Sequence, residues 1–224
     1  MTKRSLAIAA LSAAAVTTPL HADAPPTRDN LAALIRAAGL VQHFHPTDQS
    51  ETVDWSAFLR GSWAGVATAE GPEALAAAIG AALTPLAPSM QVFPTEAPPA
   101  PPKPLLASAE QPFAGVQFWR HIGFTPLQRD GLFARDVMLV GLRNAEALRT
   151  TPDPTKLRLY DLGGGVSCRL AVSVWVDAKG RTLPLVEGSS ARGGADAAWS
   201  ASRASLDALT PVALVWNAVQ HFSP

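Results

Sequence analysis

PTEAPPAPPKP, Pro94–Pro104, is the stretch that most limits what this chain can fold into. Proline fixes φ and donates no backbone hydrogen bond, and it pushes the residue before it towards extended geometry. Such a run favours an extended polyproline-type path over a helix or an interior strand. The hydrophobic period also changes across it, from helical before to two-residue alternation after. The expected fold class is therefore α+β. A helical module over residues 27–90 leads through a Pro-rich linker over 91–106 to a mainly antiparallel β module over 107–186. A Gly/Ser/Ala-rich linker over 187–209 and a terminal helix over 210–224, expected to begin a further, missing domain, follow.

Before the proline run, Leu31, Leu34, Ile35, Ala38 and Val41 recur at helical spacing behind Thr27 and Asp29, both good capping residue types. Pro46 disfavours helical geometry at His45 and stops this helix near Phe44. A second helix starts at VDWSAFL, with Asp54 as cap and Val53 and Phe58 at the spacing of a hydrophobic staple. Trp55, Phe58, Leu59, Trp63 and Val66 mark its apolar face. A third helix runs through GPEALAAAIGAAL, with Pro72 tolerated in the first turn.

Beyond the prolines, Phe113–Phe124 and Arg135–Leu142 read as strands. The clearest alternation is Val166, Cys168, Leu170, Val172, Val174 and Val176, which predicts one strand closed by a turn at Asp177–Gly180. Cys168 is the only cysteine, so no disulfide forms within the chain. Its apolar strand setting predicts a buried, inert thiol and no nucleophile. DLGGGVSC, Asp161–Cys168, is glycine-rich but lacks the lysine of a phosphate loop and leads into a strand, not a helix.

One hexapeptide occurs almost twice: VQHFHP at Val41–Pro46 and VQHFSP at Val219–Pro224. Thr210 and Pro211 predict the start of the helix that carries the second copy. Val212, Val215, Trp216, Val219 and Phe222 form its expected packing face. His43 and His45 make an H-x-H pair near Asp48, Glu51 and Asp54, which suggests a zinc or iron site. No H-E-x-x-H spacing accompanies it, and Ser223 replaces the second histidine in the later copy. A histidine in the last helical turn is instead suited to the orphan carbonyls and negative dipole end found there. His121, in FWRHIGF, is expected to be a strand histidine satisfied by its neighbours. The serines of EGSSARGG have no assignable base. No catalytic, cofactor-binding or metal-binding residue is assigned, and no cofactor is expected.

The first residues have their own character. Lys3 and Arg4 precede the apolar run Leu6–Val16, and Ala22–Ala24 supplies a small-x-small cleavage pattern. This predicts a signal peptide over residues 1–24 and an exported, periplasmic or extracellular product that has no membrane anchor after cleavage. The formal net charge is zero and no basic stripe is present, which argues against nucleic acid as a partner.

LVQHFHP followed by VDWSAFL resembles the helical start of exported proteins of the C-terminal-processing and tricorn-type serine peptidase family. FWRHIGF, YDLGGGVSCRLAVSVWVDAKGRTLP and VWNAVQHFSP resemble later stretches in the same order, so the likeness runs from about Leu31 to Pro224. In that family such regions precede a peptidase domain with a serine activated by lysine or histidine. The resemblance implies a non-catalytic N-terminal region, truncated before that domain, with the missing peptidase domain and a peptide or protein substrate as partners. Two other readings stay open. One is a stand-alone periplasmic peptide-binding or scaffolding module. The other is a metal-dependent enzyme that uses His43 and His45.

Overall fold

A computed structural model describes residues 26–108, 112–124, 133–184 and 203–222. It is α+β, with helices laid against one of two small antiparallel sheets. Helix α1 (Pro26–Phe44) buries Leu34, Ala38 and Val41 of the stripe its spacing predicts, together with Ala37, and half-buries Leu31 and Ile35. A short helix not foreseen from the sequence, α2 (Asp48–Thr52), follows, with Thr47 as its cap. Helix α3 (Trp55–Ala67) starts where expected, and Asp54 Oδ1 accepts from the Ala57 amide at 2.9 Å. Its far end is closed from outside. The buried Asn30 side chain donates to the carbonyls of Val66 and Ala69, at 3.1 and 2.9 Å, satisfying acceptors a helix end leaves open. Helix α4 (Gly71–Leu83) carries Pro72 in its first turn.

The proline linker begins as a strand. β1 (Gln91–Pro94) pairs antiparallel with a later strand, because Val92 and Phe93 suit a sheet and Pro94 sits at the end of an edge strand, where proline is tolerated. The rest is strapped down. Arg169 donates to the Pro99 carbonyl at 2.7 Å, and Gln91 to the Ala100 carbonyl at 3.2 Å. Strands β2 (Gly115–Phe124) and β3 (Phe133–Gly141) form a long antiparallel pair, followed by the short helix α5 (Ala145–Leu148).

β4 (Leu157–Gly163) and β5 (Val166–Ala171) form a hairpin. The single strand expected over Val166–Val176 divides at Val172. Its second part, β6 (Ser173–Val176), belongs to the other sheet. Strict alternation fails there, since Ala171 and Ser173 are both buried and Val172 less so. Sheet A therefore has the order β1-β5-β4, and sheet B the order β3-β2-β6. Val166, Cys168 and Leu170 face inwards with Leu162, in one core with Leu34, Leu59, Leu75 and Ile79 of the helices. The helices and sheet A thus share a hydrophobic interior across the proline run.

The last helix, α6, spans Arg203–Phe222, so Thr210 and Pro211 lie inside it and do not begin it. The helix continues through Pro211 at the cost of the one backbone bond proline cannot donate. Its orientation also departs from expectation. Thr210, Ala213, Asn217 and Ala218 are buried, whereas Val212, Val215, Trp216 and Val219 are exposed. Close approach to α1 explains the choice. At Gly39 an added Cβ would lie 2.5 Å from the Asn217 side chain, and Asn217 Nδ2 donates to the Ile35 carbonyl at 2.9 Å. Only small side chains fit between backbones that near. The side chain of Phe222, the predicted signal peptide, the serines of EGSSARGG and most of the 187–209 linker lie outside the described residues.

Candidate functional site

The segment His43–Asp48 gathers the histidines singled out from the sequence. Helix α1 ends there because Pro46 cannot continue it, and freed backbone groups are taken by both nearby and distant partners. His121 Nε2 on β2 donates to the carbonyl of His43 at 2.5 Å, and its ring lies 5.1 Å from that of Phe44. An orphan carbonyl of the helix end is thus taken by a histidine of sheet B. Gln117, four residues earlier on β2, donates to the Pro46 carbonyl at 2.9 Å. Ser50 Oγ donates to the His45 carbonyl at 2.6 Å, and Thr47 Oγ1 to the Leu86 carbonyl at 2.6 Å. Asp48 and Thr182 exchange bonds: Asp48 Oδ2 accepts from the Thr182 amide at 2.9 Å, and the Asp48 amide donates to Thr182 Oγ1 at 3.1 Å.

His45 is the centre of this clasp and is wholly buried. Its Nδ1 stands 2.8 Å from the carbonyl of Ala171, the last residue of β5. A carbonyl only accepts, so Nδ1 carries the proton and Nε2 of the neutral ring holds a lone pair. Nε2 is buried with no hydrogen-bond partner. Burial pushes the imidazole down from its ordinary 6.5 to about 4, with the Ala171 bond offsetting part of that shift. The ring is therefore neutral at physiological pH and is committed to holding α1 against the junction of the two sheets. Among the described residues no three His, Cys, Asp or Glu side chains gather as a metal site.

The glycine run forms a hairpin turn. Gly163 pairs with Val166 across a two-residue turn of Gly164 and Gly165, with φ of +62° and +75°. Two successive positive φ values are what a primed turn requires, and glycine adopts them without strain. The tip is wedged between helices: a Cβ on Gly164 would stand 3.0 Å from Leu75, and one on Gly165 2.9 Å from Pro72. Arg36 of α1 donates to the Leu162 carbonyl at 2.7 Å beside it. Asp161 accepts from the Gly163 amide and Thr95 donates to the Gly165 carbonyl, so the loop is bound into the fold. Cys168 is buried on the inner face of β5, and burial pushes its thiol up to about 12.

A groove of about 210 Å³ runs where the sheets diverge, with Pro88, Pro104, Leu157, Ser173, Trp175 and Pro184 in its walls. That volume lies below the ~300 Å³ at which small-molecule sites begin. No helix among the described residues is long and apolar enough to cross a membrane. The tie between His45 and Ala171 joins positions 126 residues apart, and no local sequence signal announces it. The one available hint was His45 directly before proline, where a helix must end and a side chain can turn inward. No protein-family model, curated protein or solved structure matches this chain.

Proposed function

We propose that this chain is the exported, non-catalytic N-terminal region of a serine-peptidase-family protein, in which peptide-bond hydrolysis belongs to a separate domain with an activated serine. The ordered resemblance of its segments to C-terminal-processing and tricorn-type peptidases motivates the family. The observation that carries the non-catalytic role is the use made of its most reactive-looking residues. His45 is buried and bonded to Ala171, His121 is bonded to the α1 terminus, Cys168 is held protonated in the core, and the glycines form a wedged turn. Groups spent on the scaffold in this way are withheld from substrate.

The test is turnover of a casein substrate by the purified chain, with and without a serine-directed acylating inhibitor. No turnover is expected. Hydrolysis abolished by the inhibitor overturns the proposal. The intact mass of the exported product is expected to correspond to cleavage after Ala24, and a product that keeps residues 1–24 removes the export part of the reading.

A further inference from the structure

Beyond β1 the proline strap runs in the open. Every residue from Thr95 to Pro104 is exposed, so its prolines do not serve to seal the core. A plain spacer needs no fastening, yet this one is held in its middle. The Arg169 guanidinium that bonds the Pro99 carbonyl is itself fixed by Gln91 Oε1 at 3.1 Å and by the Phe93 ring, whose centre is 4.7 Å away. Gln91 in turn holds the Ala100 carbonyl. Gln91 and Arg169 face one another across β1 and β5, so both ties stand on a paired sheet.

Ala97–Lys103 reads APPAPPK, a P-x-x-P-x-K sequence with no acidic residue between Glu96 and Glu110. A polyproline helix repeats every three residues. Ala97, Ala100, Lys103 and Leu106 therefore share one edge, and Pro98, Pro101 and Pro104 the next. Pro99, Pro102 and Leu105 make the third. Leu105 is the one half-buried residue of the run 95–108, whereas Leu106 is 78% exposed. The strap thus leans on the protein by its third edge and presents the other two.

We infer that these two edges are a docking ligand for a protein domain with an aromatic-lined groove and a carboxylate at one end. Ala97-Pro98 and Ala100-Pro101 fit successive aromatic-walled pockets, since alanine adds no bulk beside each ring. Lys103, two residues further on, meets the carboxylate and fixes the direction in which the strap lies. A lipid surface or a nucleic acid calls for several cations, and Lys103 is the only one in the run. The ties at Pro99 and Ala100 hold the segment extended before it binds, which lowers the conformational entropy lost on docking.

The inference does not rest on the peptidase-family role, because its readout is binding and not hydrolysis. The probe is an isolated SH3-type domain with an acid-flanked aromatic groove, isotope-labelled and titrated with the full chain. Saturable shifts confined to the probe's groove are expected, with a Kd of about 100 µM or tighter. Combining Pro98→Ala with Pro101→Ala is expected to weaken binding at least ~10-fold, and Lys103→Glu likewise. Circular dichroism should not change in either variant, because these side chains are exposed. Arg169→Ala is expected to lower affinity severalfold, to that of a free peptide of residues 94–106. Absence of shifts up to about 1 mM overturns the inference. Binding that survives the double proline variant overturns it too, by placing the contact elsewhere. Binding indifferent to Lys103→Glu refutes the acidic partner, and a full chain that binds no better than the free peptide refutes the role of the ties.

Discussion

Acid should loosen this fold through one imidazole. In the folded chain His45 protonates only near pH 4, whereas in the unfolded chain it protonates near 6.5. Its folded value is the lower one, so its contribution is fully present above pH 6.5 and is lost as the pH falls towards 4. The whole gap corresponds to about 3.4 kcal/mol, and about 2 kcal/mol of it is already lost at pH 5. That is a large share of the ~5–15 kcal/mol by which a domain is stable. The perturbation that isolates it is His45→Asn, whose side-chain amide can still donate to the Ala171 carbonyl but cannot titrate. The smaller side chain leaves space and should cost about 1–3 kcal/mol at every pH. Urea unfolding followed by tryptophan fluorescence at pH 7.5, 6 and 5 is the assay. Wild type is expected to lose about 2 kcal/mol more than His45→Asn between the first and last of these. Asp153 and Asp177, whose carboxyls are held low by bonds to Thr155 and by bonds to Arg181 and Lys179, contribute equally to both proteins and cancel. Parallel stability curves for the two proteins would refute the assignment of a buried neutral ring.

Two glycines form a matched pair of tests. Gly65 on α3 has open space where a Cβ would go, so Gly65→Ala should stabilise the fold by up to about 1 kcal/mol in urea melts. Gly39→Ala gains the same helix propensity but drives Asn217 off α1, with a net loss of about 1–2 kcal/mol and faster amide exchange along α6. Equal effects at both sites would mean that α6 does not pack at Gly39. Cys168, with its thiol pushed up to about 12 by burial, should ignore a disulfide reagent at pH 8 in the native protein and react fully in denaturant. Prompt reaction of the native chain would place the thiol outside the core.

The helices of the first 83 residues were largely legible from the sequence because their signals are local. Asp54 beside an apolar run, Pro72 in a first turn and Pro46 after a stripe each act within a few residues. The glycine run reads as lacking the lysine and following helix of a phosphate loop, but its role as a wedged turn depends on Pro72 and Leu75, which are remote in sequence. Val166–Val176 reads as one strand because alternation reports burial on a face and does not report which sheet provides the neighbour. The α6 stripe misled for a related reason. Periodicity locates an apolar face but does not say whether it is covered, and the close approach at Gly39 admitted the opposite face. Of the clasp, only the end of α1 could be read locally. The partners of His45, Pro46 and Asp48 lie 71 to 134 residues away.

Those separations have a consequence for how the chain is made. When a ribosome has released the first 90 residues, it has released helices whose apolar stripes await Leu162, Val166 and Leu170, about 80 residues of translation later. The N-terminal helices cannot reach their final burial as they emerge: the β4–β5 hairpin must first arrive to fill the space between α1 and α4, and α6 packs on α1 later still. The glycine tip that looked like a ligand loop is, in the order of synthesis, the late wedge on which the earlier half of the protein depends.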